Sequence, residues 1–294
     1  MRLPSFNVVR SSFCTCLPKY NVNPYLGRCA HRCVYCYAVK FPSFVGPTVP
    51  RLKLREDIEA MAEGTKQRLP VMFSDSTDPY QPLEREQGIT RRCLGVLAKH
   101  GFPLLIVTKS DLVTRDVDIF RQTPTVVSMT ITTPREDIAG LIEPYAPPPK
   151  SRFSALQKIA DEGVPTVVRI DPIIPTVNSD EEDLAAIVSE AAEIGAKQIT
   201  ASTMKLVRGV LPQLRTENPE LFNRLAKIYS EGEWAAGYKY LAKTERLRIL
   251  EPLRAMALKH GLKFATCRED FVQLNNAVCD GTAFCRTLLN GFAK

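Results

Sequence analysis

Three cysteines, Cys29, Cys33 and Cys36, fall within eight residues of the stretch NPYLGRCAHRCVYCYA (23–38). Thiolates are soft ligands, suited to zinc or to iron–sulfur chemistry. A structural zinc site closes with four ligands, and His31 stands between the first two cysteines. The spacing Cys29-x-His31-x-Cys33 is nevertheless tighter than zinc ligand pairs usually adopt. Positions i, i+4 and i+7 also share one helix face, which would make the three cysteines core residues. Pro24, Gly27 and the polar residues among them argue against a buried helix. The remaining reading is a [4Fe–4S] cluster, which ordinarily takes one cysteine per iron. Three cysteines would leave one iron open to a small molecule, as catalytic zinc sites keep one position open.

Five further cysteines lie in irregular segments near the ends of the chain. Cys14 and Cys16 form CTC, and Cys267, Cys279 and Cys285 form C-x11-C-x5-C. The stretch CDGTAFC is polar and turn-like through Asp280–Gly281, which suits a ligand loop better than a core. The expectation is a second [4Fe–4S] cluster on Cys267, Cys279, Cys285 and one of Cys14 or Cys16, with structural zinc as the alternative. The ninth cysteine, Cys93, sits in a helical pattern and reads as packing.

The elements that must position these residues follow a βα rhythm. Strands are expected at about 19–24 and in VMFSDST (71–77), PLLIVTKS (103–110), TVVSMTITT (125–133), PTVVRIDPIIP (165–175) and KQITASTMKL (197–206). Helices are expected at 88–101, near 114–121, at 151–163 and at 180–195, where Leu184, Ile187, Val188 and Ala191 share a face. Six βα units before residue 210 make an α/β fold, a partial (β/α)6 TIM-type barrel, with a helical, cysteine-bearing C-terminal extension. The expected division is an N-terminal arm (1–18), the barrel (19–210) and the extension (211–294). The extension reads as helical, with Pro252 expected to kink or split a helix over 244–260, up to KFATC (263–267) and a loop-rich tail.

A parallel strand buried on both faces should be nearly all apolar. Here Ser128, Thr130 and Thr132 share one face of their strand, opposite Val127, Met129 and Ile131. Arg169 and Asp171 likewise share a face with Val167. The polar stripe grows toward the C-terminal strand ends, which form the active-site mouth of a βα barrel. Asp75, Thr77, Asp78, Lys109, Ser110, Thr132, Asp171, Thr203 and Lys205 all lie at or near such ends; Asp78 and Ser110 are also good loop or cap residues.

The chain has 294 residues, 45% of them hydrophobic, enough for a sizeable core. No apolar run is long enough to span a bilayer, and the first residues lack a secretory h-region, so a cytoplasmic protein without a membrane partner is expected. The excess of 39 basic over 32 acidic residues, +7 net, permits an anionic partner such as nucleic acid but equally suits a solvated surface.

The cysteine motif with Tyr35 before its third cysteine resembles that of the radical S-adenosylmethionine superfamily. VNPYLGRCAHRCVYCYA, STDPYQPLE (76–84), IVTKS (106–110) and IDPIIP (170–175) are similar, more narrowly, to its spore photoproduct lyase-like, DNA-repair photolyase branch, over most of residues 20–200. The resemblance implies a cluster on Cys29, Cys33 and Cys36 whose open iron chelates S-adenosylmethionine. It also implies a 5′-deoxyadenosyl radical that takes hydrogen from the substrate, and an electron donor such as flavodoxin or ferredoxin. It gives Tyr35 a backbone contact to the adenine. Ser76, Thr77 and Asp78 stand where the family grips the methionine amino group, although the usual Gly-Gly-Glu is missing. Lys109, Ser128 and Arg169 are candidates for the carboxylate and the ribose.

One departure is notable. Spore photoproduct lyases carry a hydrogen-donating cysteine after the second strand, where this chain has Asp75 and Ser76. Asp75 and Tyr80 are the remaining candidates for catalytic work there. The expected partner is damaged DNA, with its target base out of the stack and its phosphates on Arg28, Arg32, Lys205 and Arg208. Radical modification of tRNA, a peptide or a small metabolite is the alternative, favoured by the missing thiol. A non-catalytic, metal-cluster module that binds nucleic acid is the third.

Overall fold

The structure, a computed structural model, describes residues 2–6, 13–207 and 210–285, the side chains of 211, 213 and 217 excepted. Seven strands make one parallel sheet: β1 Tyr20–Val22, β2 Val71–Phe73, β3 Leu104–Thr108, β4 Thr125–Thr130, β5 Thr166–Ile173, β6 Gln198–Thr203 and β7 Lys263–Thr266. They pair in chain order, β1 and β7 forming the two edges, so the sheet is a partial barrel wound by successive crossovers. The first six are the expected strands. The seventh comes from the extension: Lys263–Thr266 pairs with Gln198–Ala201 of β6.

Helices α1 Leu54–Gly64, α2 Ile89–Lys99, α3 Pro149–Asp161 and α4 Glu181–Glu193 cover the outer face; α5 Val210–Glu217 and α6 Pro219–Ser230 pack in a second core with Tyr35, Met204 and Tyr240, and α7 Lys243–Lys259 returns to the outer face. The start of α4 is set by Asp180, whose carboxylate accepts from Glu182 N at 3.0 Å, with three more acidic residues in the first turn. Its buried face is Leu184, Ile187, Val188 and Ala191, as the periodicity requires. Pro252 does not split the last helix; α7 runs continuously through it. Cys93 is fully buried on α2.

Strand alternation sorts the two faces of the sheet. Val127, Met129, Val168, Ile170 and Ile199 pack outward against the helices in the main core. Met72, Leu105, Val126 and Val167 point inward and form a small apolar plug with Cys285, against which Phe6 and Phe284 pack. Above the plug the inner face turns polar, through Ser128 and Thr200, then Thr130, Arg169, Asp171 and Ser202. The expected polar stripe is therefore the barrel interior, rising from an apolar floor to a wet mouth. Residues 2–6 and the tail close over the edges. Phe6 N donates to Lys19 O, and the backbones of Phe264 and Thr266 donate to the side chains of Asn276 and Asn275.

Candidate functional site

A cavity of about 710 Å³ opens at the C-terminal ends of the strands. The loop after β1 lines one wall with Cys29, Cys33 and Cys36, all half-buried and free of disulfides. The loop must turn sharply. Gly27 has φ +73°, and a Cβ there would lie 1.8 Å from Pro47 O, so only glycine fits. Arg32 also adopts a positive φ, +49°.

A buried polar framework holds this loop to the barrel. Val34 N donates to Ile142 O at 3.0 Å, and Tyr145 N to His31 O at 3.4 Å. The Tyr35 hydroxyl donates to Glu143. Glu143 pairs with Arg152 at 2.5 Å and with Lys109 at 3.9 Å; the Glu143 side chain is 0% exposed and that of Arg152 is 1%. Arg152 in turn donates to Thr130 O and Pro147 O. Burial would push the Glu143 carboxyl up, but Arg152 and Lys109 outweigh it and hold it below the usual carboxylate range. This framework escaped the sequence reading because Tyr35 and Glu143 are 108 positions apart and neither lies on a periodic face.

His31 is buried, with Nδ1 3.1 Å from Tyr145 O and Nε2 3.4 Å from Asp78 Oδ2. Both ring nitrogens face protein oxygens, so the Cys3His arrangement is not assembled. Among the described residues no group of three or more His, Cys, Asp or Glu gathers closely enough to hold a single metal ion. A cubane makes a different demand, since each thiolate binds its own iron. Three thiols without disulfides, on one tight loop facing one cavity, fit that donor set. Burial pushes the Cys29 thiol up to about 12 and also raises Cys33 and Cys36; Lys109 opposes it at the latter two. Metal binding there would displace protons.

The other expected residues divide. Asp75, Ser76, Thr77, Lys109 and Arg169 line the cavity. Asp75 accepts from Asn23 Nδ2 at 3.1 Å, and Arg169 pairs with Asp171 at 2.5 Å. Asp78 reaches the cavity, but its carboxylate accepts from Thr108 Oγ1, Tyr80 N and Lys109 N at 2.7–2.8 Å. It therefore acts as a loop staple, and Ser110 is a cap for Leu112 N. Ser128 is 0% exposed and sits a tier below the mouth, because Thr130 is the residue of its strand that reaches the cavity. Tyr80 turns away: it is 1% exposed, outside the lining of this cavity, and its hydroxyl donates to Asp116 at 3.0 Å. Lys205 also lines the cavity, paired with Glu269 at 2.8 Å and donating to Cys267 O. Arg28 and Arg32 line the mouth; Arg208 lies outside the described residues.

The second cysteine set lines the same cavity, in altered membership. Both Cys14 and Cys16 are present, with Cys267 and Cys279. Cys285 is not. Its thiol, 0% exposed, donates to Leu104 O at 3.4 Å within the apolar plug. The turn at Gly281, φ +76°, sends the chain from the mouth down into the barrel, carrying Cys285 away from Cys279. The pair Lys19–Asp280, 2.6 Å apart and nearly fully buried, fixes this turn to the arm.

A parallel α/β barrel with a thiol-bearing loop at its mouth defines a class, and comparison with known proteins agrees. The match to the family model spans residues 23–188, and the chain belongs to the radical SAM superfamily, a superfamily of enzymes. Uncharacterized protein ORF301 of Acidianus two-tailed virus is 31% identical over 229 residues, 69% of this chain and 75% of that protein. The fold is shared with spore photoproduct lyase complexed with dinucleoside spore photoproduct, at TM-score 0.67 and 17% identity, covering 84% of this chain and 75% of that one. It is shared less closely with Streptococcus suis SuiB bound to precursor peptide SuiA, at TM-score 0.55 and 12% identity, covering 84% and 48%. Among the described residues no helix is long and apolar enough to cross a membrane.

Proposed function

We propose that this chain is a radical S-adenosylmethionine enzyme that acts on a photoproduct in DNA, with its cluster on Cys29, Cys33 and Cys36. The observation that carries the reading is the meeting of those three thiols with the polar strand ends around one cavity of about 710 Å³. When bound, the cluster supplies the electron that cleaves S-adenosylmethionine to a 5′-deoxyadenosyl radical, and a donor such as flavodoxin or ferredoxin replenishes it. The rest of the work falls to the chain. Lys109 presents positive charge for the methionine carboxylate and Asp75 negative charge for its ammonium, with the Arg169–Asp171 pair beside them on the cavity wall. Glu143 and Arg152 keep the cysteine loop seated on the barrel. The likeness of fold to a lyase complexed with a dinucleoside photoproduct supports a DNA lesion as substrate. Arg28 and Arg32 at the rim suit its phosphates, so binding should weaken steeply with salt.

A second reading, a peptide, tRNA or small-metabolite substrate, is favoured by the loop after β2, which has Asp75 and Ser76 in place of a thiol. The likeness to SuiB bound to its precursor peptide points the same way. The test is anaerobic reconstitution, reduction in the presence of S-adenosylmethionine, and assay for 5′-deoxyadenosine. Its absence refutes radical chemistry. Repeating the assay with ultraviolet-irradiated DNA separates the substrates: restored thymine supports lesion repair, and 5′-deoxyadenosine without thymine moves the substrate to the second class.

A further inference from the structure

The cavity thiols that come from outside the Cys29 loop form a group of their own. Cys14 and Cys16 come from the arm, Cys267 from the end of β7, and Cys279 from the tail. Cys16 Sγ lies 3.8 Å from Cys279 Sγ, across 263 positions of sequence. Cys14 and Cys267 line the same cavity beside this pair. None is in a disulfide. Their backbones are held by the barrel itself. Cys267 N donates to Ala201 O of β6, and Cys279 O accepts from Thr200 Oγ1 at 2.8 Å and from Arg169 at 3.5 Å. Lys19 and Arg169 border the group, each paired with an aspartate: Lys19 with Asp280 at 2.6 Å and Arg169 with Asp171 at 2.5 Å.

We propose that Cys14, Cys16, Cys267 and Cys279 bind a second [4Fe–4S] cluster, closed by four thiolates, one per iron. Such a centre carries net negative charge; Lys19 and Arg169 stand beside it, each shared with an aspartate. A zinc ion on four thiolates would hold every pair of sulfurs about 3.8 Å apart, the separation of Cys16 and Cys279, so sulfide content is what separates the two metals. Cubane thiolates stand farther apart, in room that the shared cavity provides, and loading parts the Cys16–Cys279 pair by rotation of the half-buried Cys16. Each thiol releases its proton on ligation. With no open iron, this centre does not bind S-adenosylmethionine. It ties both ends of the chain across the barrel mouth and gives the Cys29 loop a redox neighbour. Cys285, in the apolar plug, has no part in it.

The site is tested in the full-length Cys29→Ala/Cys33→Ala/Cys36→Ala variant, loaded anaerobically with ferrous iron and sulfide. The variant should retain about four irons and four acid-labile sulfides per chain. Adding Cys267→Ala and Cys279→Ala should abolish this content, and adding Cys285→Ala should leave it unchanged. A variant that is folded by circular dichroism but free of iron overturns the proposal, as does zinc without sulfide, or iron indifferent to Cys267 and Cys279. If the triple variant does not fold, Cys14→Ser/Cys16→Ser decides. It should lose about half the wild-type iron yet keep a cluster whose electron paramagnetic resonance responds to S-adenosylmethionine; undiminished iron refutes the site. Metal content is read without turnover, so failure of the proposed reaction leaves the outcome unaffected.

Discussion

Replacing Arg152 by methionine tests whether the buried Glu143–Arg152 pair holds the cysteine loop in place. The side chains are 0% and 1% exposed, so removing the cation leaves Glu143 with Lys109 at 3.9 Å as its nearest positive charge. Breaking a buried pair from one side costs about 3–5 kcal/mol. At about 2.1 cal/mol/K of unfolding entropy per residue, a chain of 294 residues should then melt about 5–8 °C lower. The control is the surface pair Arg121–Glu162, with side chains 61% and 43% exposed. Arg121→Ala should cost less than about 1 kcal/mol. The double variant Arg152→Met/Glu143→Leu should recover part of the loss, because the stranded carboxylate is gone while Lys109 and the Tyr35 hydroxyl lose a partner. Loop seating gives a second readout, since Val34 hangs on Ile142, next to Glu143. Iron bound after reconstitution should fall in Arg152→Met at temperatures where the protein is still folded. A melting temperature within 1 °C of wild type, or equal losses at Arg121 and Arg152, would refute the reasoning.

Acid should act through two buried carboxylates, Glu143 and Asp78, and the half-buried Asp171. Burial opposes ionisation at each, but Arg152 and Lys109 outweigh it at Glu143, His31 and hydrogen bonds at Asp78, and Arg169 and Lys205 at Asp171, so all three are held low. Groups lowered by folding contribute stability above their ordinary range, near about 4, which is lost as pH falls through the folded values. The urea midpoint should therefore hold from neutral pH down to about 5 and fall below it, less steeply in Arg152→Met; equal slopes in the two proteins would contradict this. Asp78→Ala strands the amides of Tyr80 and Lys109 and should cost about 2–6 kcal/mol in urea unfolding, whereas Asp78→Asn keeps an acceptor and should cost less. Equal costs would rule out the staple. Gly281→Ala meets both a φ of +76° and Val167 Cγ2 at 2.8 Å from the new Cβ. The backbone alone should cost about 1–2 kcal/mol, and hydrogen exchange should rise across 278–285; unchanged exchange there would show that the tail tolerates the side chain.

Much of this protein was legible in one dimension, because its chemistry is local in sequence. Cys29, Cys33 and Cys36 lie on one loop, so their spacing alone marks them as a candidate ligand set. Strand alternation in VVSMT and VVRID reports which face lines the barrel, since a period of two is a property of each strand alone. Membership of the second cysteine group was not legible. Cys285 is close to Cys279 in sequence, yet the turn at Gly281 sends its thiol into the apolar floor, while Cys14 and Cys16 arrive together from the other end of the chain. The placing of Ser128 and Tyr80 likewise depends on height within the barrel and on Asp116, which no periodicity encodes. The Tyr35–Glu143–Arg152 framework joins three loops and a helix. Its cost and benefit exist only once water is excluded, and exclusion of water is a property of the assembled fold.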